Sequence, residues 1–206
     1  ITGHPKSSIV PDLLRRMGDI HFNLKRYADA AALYERVATY HPESNLAPGA
    51  LYSISQAEEK EGRYPEALIT LHHLTNRYPD ALLTPEAFFR KGTLYSVIDS
   101  LRLTLNAYET ILTNYPDSDV APEASMAMAR AYLSYDQRVE AVSVLNATIA
   151  KYPEATPADS ARIALARLAA DSLDYAVADT LLFTVIGRRT DELAAKAQYL
   201  LGSFLA

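Results

Sequence analysis

Apolar residues recur at helical spacing in two blocks, and the two blocks repeat along the chain every 37 residues. In the stretch 48–78 the apolar positions are Leu51, Ile54 and Ala57 in the first block and Ala67, Leu71 and Leu74 in the second. Intervals of three and four predict two amphipathic helices. The polar segment 61–64 between them contains Gly62, a residue typical of a helix end. Each repeat is therefore predicted to be a helical hairpin.

Two series of prolines mark the joints between hairpins. The first series is Pro5, Pro42, Pro79, Pro116 and Pro153, and the second is Pro11, Pro48, Pro85 and Pro122, each with a spacing of 37. Asp159 breaks the second series. A proline of the first series is expected to stop the second helix of a pair. One of the second series is expected in the first turn of the next helix, where its missing N–H costs nothing.

Small and large residues also recur at fixed places in the repeat. The small positions include Gly18, Ser55, Gly92, Ala129 and Ala166, then Ala30, Ala67, Ala141 and Ala178, and also Ala50, Ala87, Ala124 and Ala161. Large residues recur at Tyr34, Leu71, Tyr108, Leu145 and Leu182. Small residues let helix backbones approach closely, and large ones fill the seam. The pattern weakens at 96–107, which lacks the turn glycine, and at Asp179, where an apolar residue is usual.

The pattern resembles the tetratricopeptide repeat family. Its signature positions are occupied here by Leu51-Tyr52, Ile54-Ser55, Tyr64, Ala67, Leu71, Leu74 and Pro79, and three additional residues follow the closing proline. The long connector "YPDSDVAPEA" resembles bacterial envelope repeats, such as those of the outer-membrane β-barrel assembly lipoprotein and the Tol-Pal coordinator. The resemblance covers essentially the whole chain.

This resemblance implies an all-α fold, a right-handed α-α superhelix of five helix pairs plus one terminal helix. The expected units form a single array over 1–206 and span 11–47, 48–84, 85–121, 122–158 and 159–194, with a partial unit at 195–206. His4-Pro5 copies His41-Pro42, and the terminal segment "QYLLGSFLA" lacks the polar surface of a capping helix. We therefore expect the chain to be a fragment of a longer protein.

Composition argues against several classes of function. The chain has 25 acidic and 20 basic residues, a formal net charge of -5, and no basic block that would favour nucleic acid. It has no cysteine, no apolar run long enough to cross a bilayer, and five histidines without a metal-ligand pattern. No phosphate-binding loop or nucleophile elbow is present. We expect no enzymatic activity, no cofactor and no metal site.

The family resemblance implies a binding groove along the first helix of each pair. Its expected lining is Arg15, Asp19, Phe22, Tyr52, Gln56, Phe89, Thr93, Met126, Arg130, Leu133, Ile163 and Arg167. Tyr52, Phe89 and Met126 share one repeat position and would form an apolar strip, while Arg130 and Arg167 would orient a partner. The alternative is that this position is half-buried packing between neighbouring pairs. Asp19 disfavours a clamp for a terminal carboxylate, because it would repel one.

The expected function is that of a protein–protein interaction scaffold that binds a protein or peptide segment. The connector resemblance implies a periplasmic or outer-membrane-attached location, without membrane insertion by this chain. Two alternatives remain: a cytoplasmic regulatory scaffold, and the non-catalytic repeat arm of a larger enzyme. Formation of homo-oligomers through the uncapped ends of the array is a further alternative.

Overall fold

The computed structural model describes residues 9–204, which fold into eleven α-helices and no strand. In chain order these are α1 (Ile9–Asn23), α2 (Tyr27–Tyr40), α3 (Ala47–Lys60), α4 (Tyr64–Arg77), α5 (Thr84–Val97), α6 (Leu101–Asn114), α7 (Ala121–Ser134), α8 (Arg138–Lys151), α9 (Thr156–Asp171), α10 (Tyr175–Arg188) and α11 (Glu192–Phe204). The predicted all-α fold and its helix count are confirmed. The odd-numbered helices are the first helices of their pairs, and α11 is the terminal one.

The chain forms two compact units that divide between Asp99 and Ser100. In the first unit α1 to α5 pack successively, and the large repeat residues Tyr34 and Leu71 are at most 2% exposed in its core. In the second unit α6 to α11 pack successively, and α9 also contacts α7 and α11. Leu145 and Leu182 occupy the equivalent large positions there and are fully buried. The large residues fill the helix seams, as the sequence predicted.

The prolines stand where the sequence places them. Pro42 follows the end of α2 by two residues, and Pro48 is the second residue of α3. The tyrosine that precedes Pro79 stabilises the connection between α2 and α3. Tyr78 Oη donates a hydrogen bond to the Pro42 carbonyl oxygen at 2.8 Å. The same bond recurs two repeats later, in the second unit, where Tyr152 Oη donates to the Pro116 carbonyl oxygen at 3.2 Å.

The turn inside each hairpin uses one residue in the left-handed region. Gly62 has φ +75°, as its place after α3 predicted. The equivalent residues one repeat apart are Lys25, Asp99, Asp136 and Leu173, with φ between 55° and 61°. The turn geometry is thus kept where glycine is lost, and non-glycine residues carry the cost of that conformation.

The missing proline at Asp159 changes the start of α9. Pro157 takes over the first turn, so α9 begins at Thr156, two residues before the repeat would place it. Asp159 is then inside the helix and only 1% exposed. Three arginines surround its carboxylate: Arg162 Nη1 at 2.7 Å, Arg189 Nη1 at 3.2 Å and Arg188 Nε at 3.5 Å. A buried charge cluster replaces the proline.

Candidate functional site

A cleft of about 380 Å³ opens between the first helices of the second unit. Its lining comes from α7 (Met126, Arg130 and Leu133), α9 (Ser160, Ile163, Ala164, Arg167 and Leu168) and α11 (Leu193 and Lys196). All five groove residues predicted in this unit therefore line one cleft: Met126, Arg130, Leu133, Ile163 and Arg167. We call it the α7–α9–α11 cleft.

The floor of the cleft is apolar and part of the core. Met126 is 5% exposed and Ile163 is 3% exposed, so both side chains mainly hold the helices together. Leu133, Leu168 and Leu193 are half-buried and present apolar surface to the opening. The packing alternative therefore describes Met126 and Ile163 well, whereas the leucines offer surface that a ligand could still bury.

The rim of the cleft is basic. Arg130 Nη1 donates to Glu123 Oε1 at 3.0 Å, so its charge is already paired on α7. Arg167 and Lys196 are exposed, and neither forms an ion pair with any residue in the range 9–204. A cleft with an apolar floor and two unpaired cations is suited to a segment that carries both apolar and acidic side chains.

The predicted residues on α1 form a network of their own. Arg15 Nη1 donates to Asp19 Oδ2 at 2.8 Å, and Tyr34 Oη donates to Asp19 Oδ1 at 2.8 Å. Burial and this bond to Asp19 raise the pKa of Tyr34 well above its usual value. Phe22 makes an edge-on ring contact with Tyr27, with centroids 5.2 Å apart. Both oxygens of Asp19 are thus engaged within the chain.

The remaining predicted residues lie on α3 and α5. Tyr52, Gln56, Phe89 and Thr93 are all half-buried, and Thr93 Oγ1 donates to the Phe89 carbonyl oxygen at 3.1 Å. Burial and the nearby Glu86 carboxylate raise the pKa of the Tyr52 hydroxyl. A cleft of about 840 Å³ in the first unit is lined from α2, α3 and α4, and none of these four residues is part of its lining.

An ion pair that the sequence analysis missed joins α3 and α5. Arg90 Nε donates to Glu59 Oε1 at 2.7 Å, and Arg90 Nη2 lies 2.5 Å from Glu59 Oε2. The pairing with Glu59 raises the pKa of Arg90. Glu59 stands 37 residues after Phe22, which was a predicted groove residue. The repeat spacing could therefore have identified Glu59 as a groove position.

Five other lining residues of the cleft were also missed: Ser160, Ala164, Leu168, Leu193 and Lys196. None of the predicted groove residues lies on α11. The repeat continues into that helix with an interval of 36 instead of 37, which aligns Lys196 with Ser160. Ser160 was not among the predicted groove positions either, so extending those positions by 36 residues gives Tyr199 and Ser203 and does not reach Lys196.

Within residues 9–204 no three His, Asp or Glu side chains converge as metal ligands would. None of the helices in that range is both long enough and apolar enough to cross a bilayer.

Comparison with known protein families is informative for the first unit. A sequence model described as tetratricopeptide repeat matches residues 12–44 and 50–81. These matches support the predicted resemblance to the tetratricopeptide repeat family. They cover the first two helix pairs, and a comparison with curated protein sequences finds no significant match.

Solved structures share the fold of the tetratricopeptide repeats at low identity. A tetratricopeptide repeat protein from Parabacteroides merdae has a TM-score of 0.68 and 15% identity, over 95% of this chain and 73% of the other. MamA from Desulfovibrio magneticus has a TM-score of 0.62 and 18% identity, over 86% of this chain and 94% of the MamA chain. The repeats of a putative kinesin light chain from Podospora anserina have a TM-score of 0.65 and 16% identity, over 95% of this chain and 100% of the other. The likeness establishes the solenoid class of repeat fold.

Proposed function

We propose that the chain is a non-catalytic protein-binding scaffold whose α7–α9–α11 cleft holds a segment of a partner protein. The carrying observation is the pairing of an apolar floor with two cations, Arg167 and Lys196, that lack acidic partners in the described range. Tetratricopeptide repeats, which the first two hairpins match, support this role as interaction modules.

The chemistry of the cleft selects the type of segment. Burial of Leu, Ile or Phe against Leu133, Leu168 and Leu193 would supply affinity at about 25 cal/mol per Å² of apolar surface. Asp or Glu side chains beside those residues would pair with Arg167 and Lys196. Because these cations are exposed, their main contribution is to orientation and association rate.

The experiment starts from a displayed library of random 12-residue peptides selected on the wild-type chain. Peptides with acidic and large apolar residues should be enriched. By fluorescence anisotropy, the variant Arg167→Glu/Lys196→Glu should bind them roughly tenfold or more weakly, since like charges then face each other. The control Arg102→Glu/Arg138→Glu reverses two exposed arginines outside the cleft and should bind them as wild type does. Equal binding by both double variants would reject the cleft as the site.

We also propose that this scaffold acts in a bacterial cell envelope, in the periplasm or attached to the outer membrane. The support is the resemblance of the connector "YPDSDVAPEA" to envelope repeats. Fractionation of source cells should place the protein with periplasmic or outer-membrane markers. Recovery with cytoplasmic markers would favour a cytoplasmic scaffold, and a catalytic domain on the same polypeptide would favour the repeat arm of an enzyme.

A further inference from the structure

Arg130, on the rim of the α7–α9–α11 cleft, is paired with an acidic residue of its own helix. Its Nη1 donates to Glu123 Oε1 at 3.0 Å, and this is the one side-chain hydrogen bond of Arg130 within the described range 9–204. The two residues are seven positions apart on α7, and Met126 lies between them on the same helix face. The ion pair therefore runs along the edge of the cleft, beside a residue of its apolar floor.

Among the odd-numbered helices of the described range, α7 is the one that has opposite charges at this pair of repeat positions. The same two positions hold Asp12 and Asp19 in α1, Gly49 and Gln56 in α3, Glu86 and Thr93 in α5, Ser160 and Arg167 in α9, and Lys196 and Ser203 in α11. A serine stands two turns before Arg167, so α9 offers that arginine no acidic partner there. The pairing of Arg130 is thus a particular feature of α7 and not a general property of the repeat.

The Arg130–Glu123 pair is exposed and can be exchanged at little cost. The side chains are 56% and 43% exposed, and ion pairs on such a surface contribute little to stability. Glu123 Oε1 engages one of the five N–H groups of the guanidinium. A carboxylate from a bound segment can meet the same guanidinium through two parallel hydrogen bonds, which is a stronger geometry. Glu123 then turns to solvent, where its charge is hydrated.

We propose that Glu123 is a built-in competitor for Arg130, and that the bound partner segment carries an acidic side chain that displaces it. This inference rests on the proposed function, because it concerns the segment held in the same cleft. After the exchange, Arg130 joins Arg167 and Lys196 as a third cation that faces the segment. A segment with no acid at this place leaves the ion pair closed, and Glu123 repels an acid that does not reach Arg130. Glu123 thus makes the cleft selective for the position of a third acidic residue.

Fluorescence anisotropy with the tightest-binding acidic 12-residue peptide selected on the wild-type chain tests the exchange. Glu123→Gln removes the competitor and should strengthen binding about two- to fivefold, which is the range expected for an exposed ion pair. The control Glu140→Gln removes an exposed carboxylate on α8, outside the cleft, and should bind the peptide as wild type does. Equal affinities of Glu123→Gln and Glu140→Gln would overturn the proposal.

Variants of the peptide locate the third acid. Each acidic residue of the peptide is replaced in turn by its amide, and each peptide is measured against wild type and Glu123→Gln. At one peptide position the replacement should abolish the gain from Glu123→Gln, because no carboxylate is left to bind Arg130. A gain that persists with every peptide would show general repulsion by Glu123 and would contradict the exchange.

The failure of this inference and the failure of the proposed function give different results. If Arg167→Glu/Lys196→Glu binds the peptide as wild type does, the cleft is rejected as the site, and the competitor with it. If that double variant binds more weakly while Glu123→Gln binds as wild type does, the cleft stands and the competitor alone is rejected.

Discussion

The ring of Tyr34 lies directly against the backbone of Gly18. A Cβ atom built on Gly18 would stand 2.4 Å from Tyr34 Cε1 and 2.8 Å from Cδ1, which is closer than carbon atoms can approach. Tyr34 is 2% exposed, and its hydroxyl is held by Asp19 on the same helix as Gly18. The glycine thus lets a large ring fill the α1–α2 seam, and the pairing explains why small and large positions recur together in the repeat.

Gly18→Ala should destabilise the protein by roughly 1–3 kcal/mol, because the methyl group forces the Tyr34 ring out of its place. Chemical denaturation measures this change. Gly187→Ala is the matched control, since no atom lies within 4 Å of its added Cβ in α10. That substitution should stabilise by about 0.5–1 kcal/mol through helix propensity. A neutral Gly18→Ala would mean that the seam yields easily.

Leu173→Gly should stabilise the protein by about 1 kcal/mol. Leu173 has φ 61° and is 75% exposed, so its side chain gains little from packing while its backbone carries the left-handed penalty. The gain is reduced by the greater freedom of glycine in the unfolded chain. The reverse change at the equivalent turn, Gly62→Ala, should destabilise the protein by a similar amount, because alanine pays the left-handed backbone penalty at φ +75°. No atom lies within 4 Å of the added methyl group, so packing neither adds to this cost nor offsets it. Thermal unfolding measures the change in stability of each variant. If both melting temperatures shift in the same direction, the backbone explanation is refuted.

Asp159→Asn should destabilise the protein by about 3 kcal/mol, since it leaves the charge of Arg162 uncompensated. Arg162 is 7% exposed, and its Nη1 lies 2.7 Å from Asp159 Oδ1. Asp136→Asn is the control, because Asp136 pairs with Arg138 at 3.2 Å on the open surface. Such exposed pairs contribute about 1 kcal/mol or less. Urea denaturation compares the two variants, and equal losses would show that the buried cluster is dispensable.

Lys91→Met should stabilise the protein by about 1 kcal/mol at neutral pH. Lys91 is 7% exposed, and its Nζ lies 4.8 Å from the centre of the Phe88 ring and 3.5 Å from Thr75 Oγ1. These contacts compensate only part of the cost of burying the charge, which lowers the pKa of Lys91. The exposed Lys60 offers the control Lys60→Met, which should change stability little.

The advantage of Lys91→Met should shrink as pH rises. Below the folded pKa both states are protonated, so the folded wild type bears the whole cost of the buried charge. Above it the folded state is neutral while the unfolded state still binds a proton, up to the ordinary pKa of 10.5. Stability of wild type therefore rises relative to the variant through this window. Denaturation curves between pH 7 and 10 should show the two proteins converging, and a constant difference would exclude the titration of Lys91.

The sequence was sufficient for those parts of the fold that depend on residues close together in one repeat. Helix spacing, the turn glycine at Gly62 and the roles of Pro42 and Pro48 all follow from local backbone physics. Burial could not be predicted in the same way. Met126 and Tyr52 hold the same repeat position, yet one is 5% exposed and the other half-buried, because exposure depends on how closely neighbouring helices approach.

Contacts between distant residues were equally hidden. Asp159 could be recognised as a departure from proline, but its partner Arg189 is 30 residues away and nothing local links them. Lys196 was missed because its repeat position, which Ser160 holds in α9, was not among the predicted groove positions. The groove prediction was most informative where three first helices meet, since the five predicted residues of the second unit share one cleft.

Hydrogen–deuterium exchange with a selected peptide bound tests the central claim most directly. The amides of α7, α9 and α11 that border the cleft should exchange more slowly in the complex. The Arg167→Glu/Lys196→Glu variant, given the same peptide concentration, should lose most of that protection. Protection confined to α8 and α10, or to the first unit, would contradict the proposal that the α7–α9–α11 cleft binds the partner.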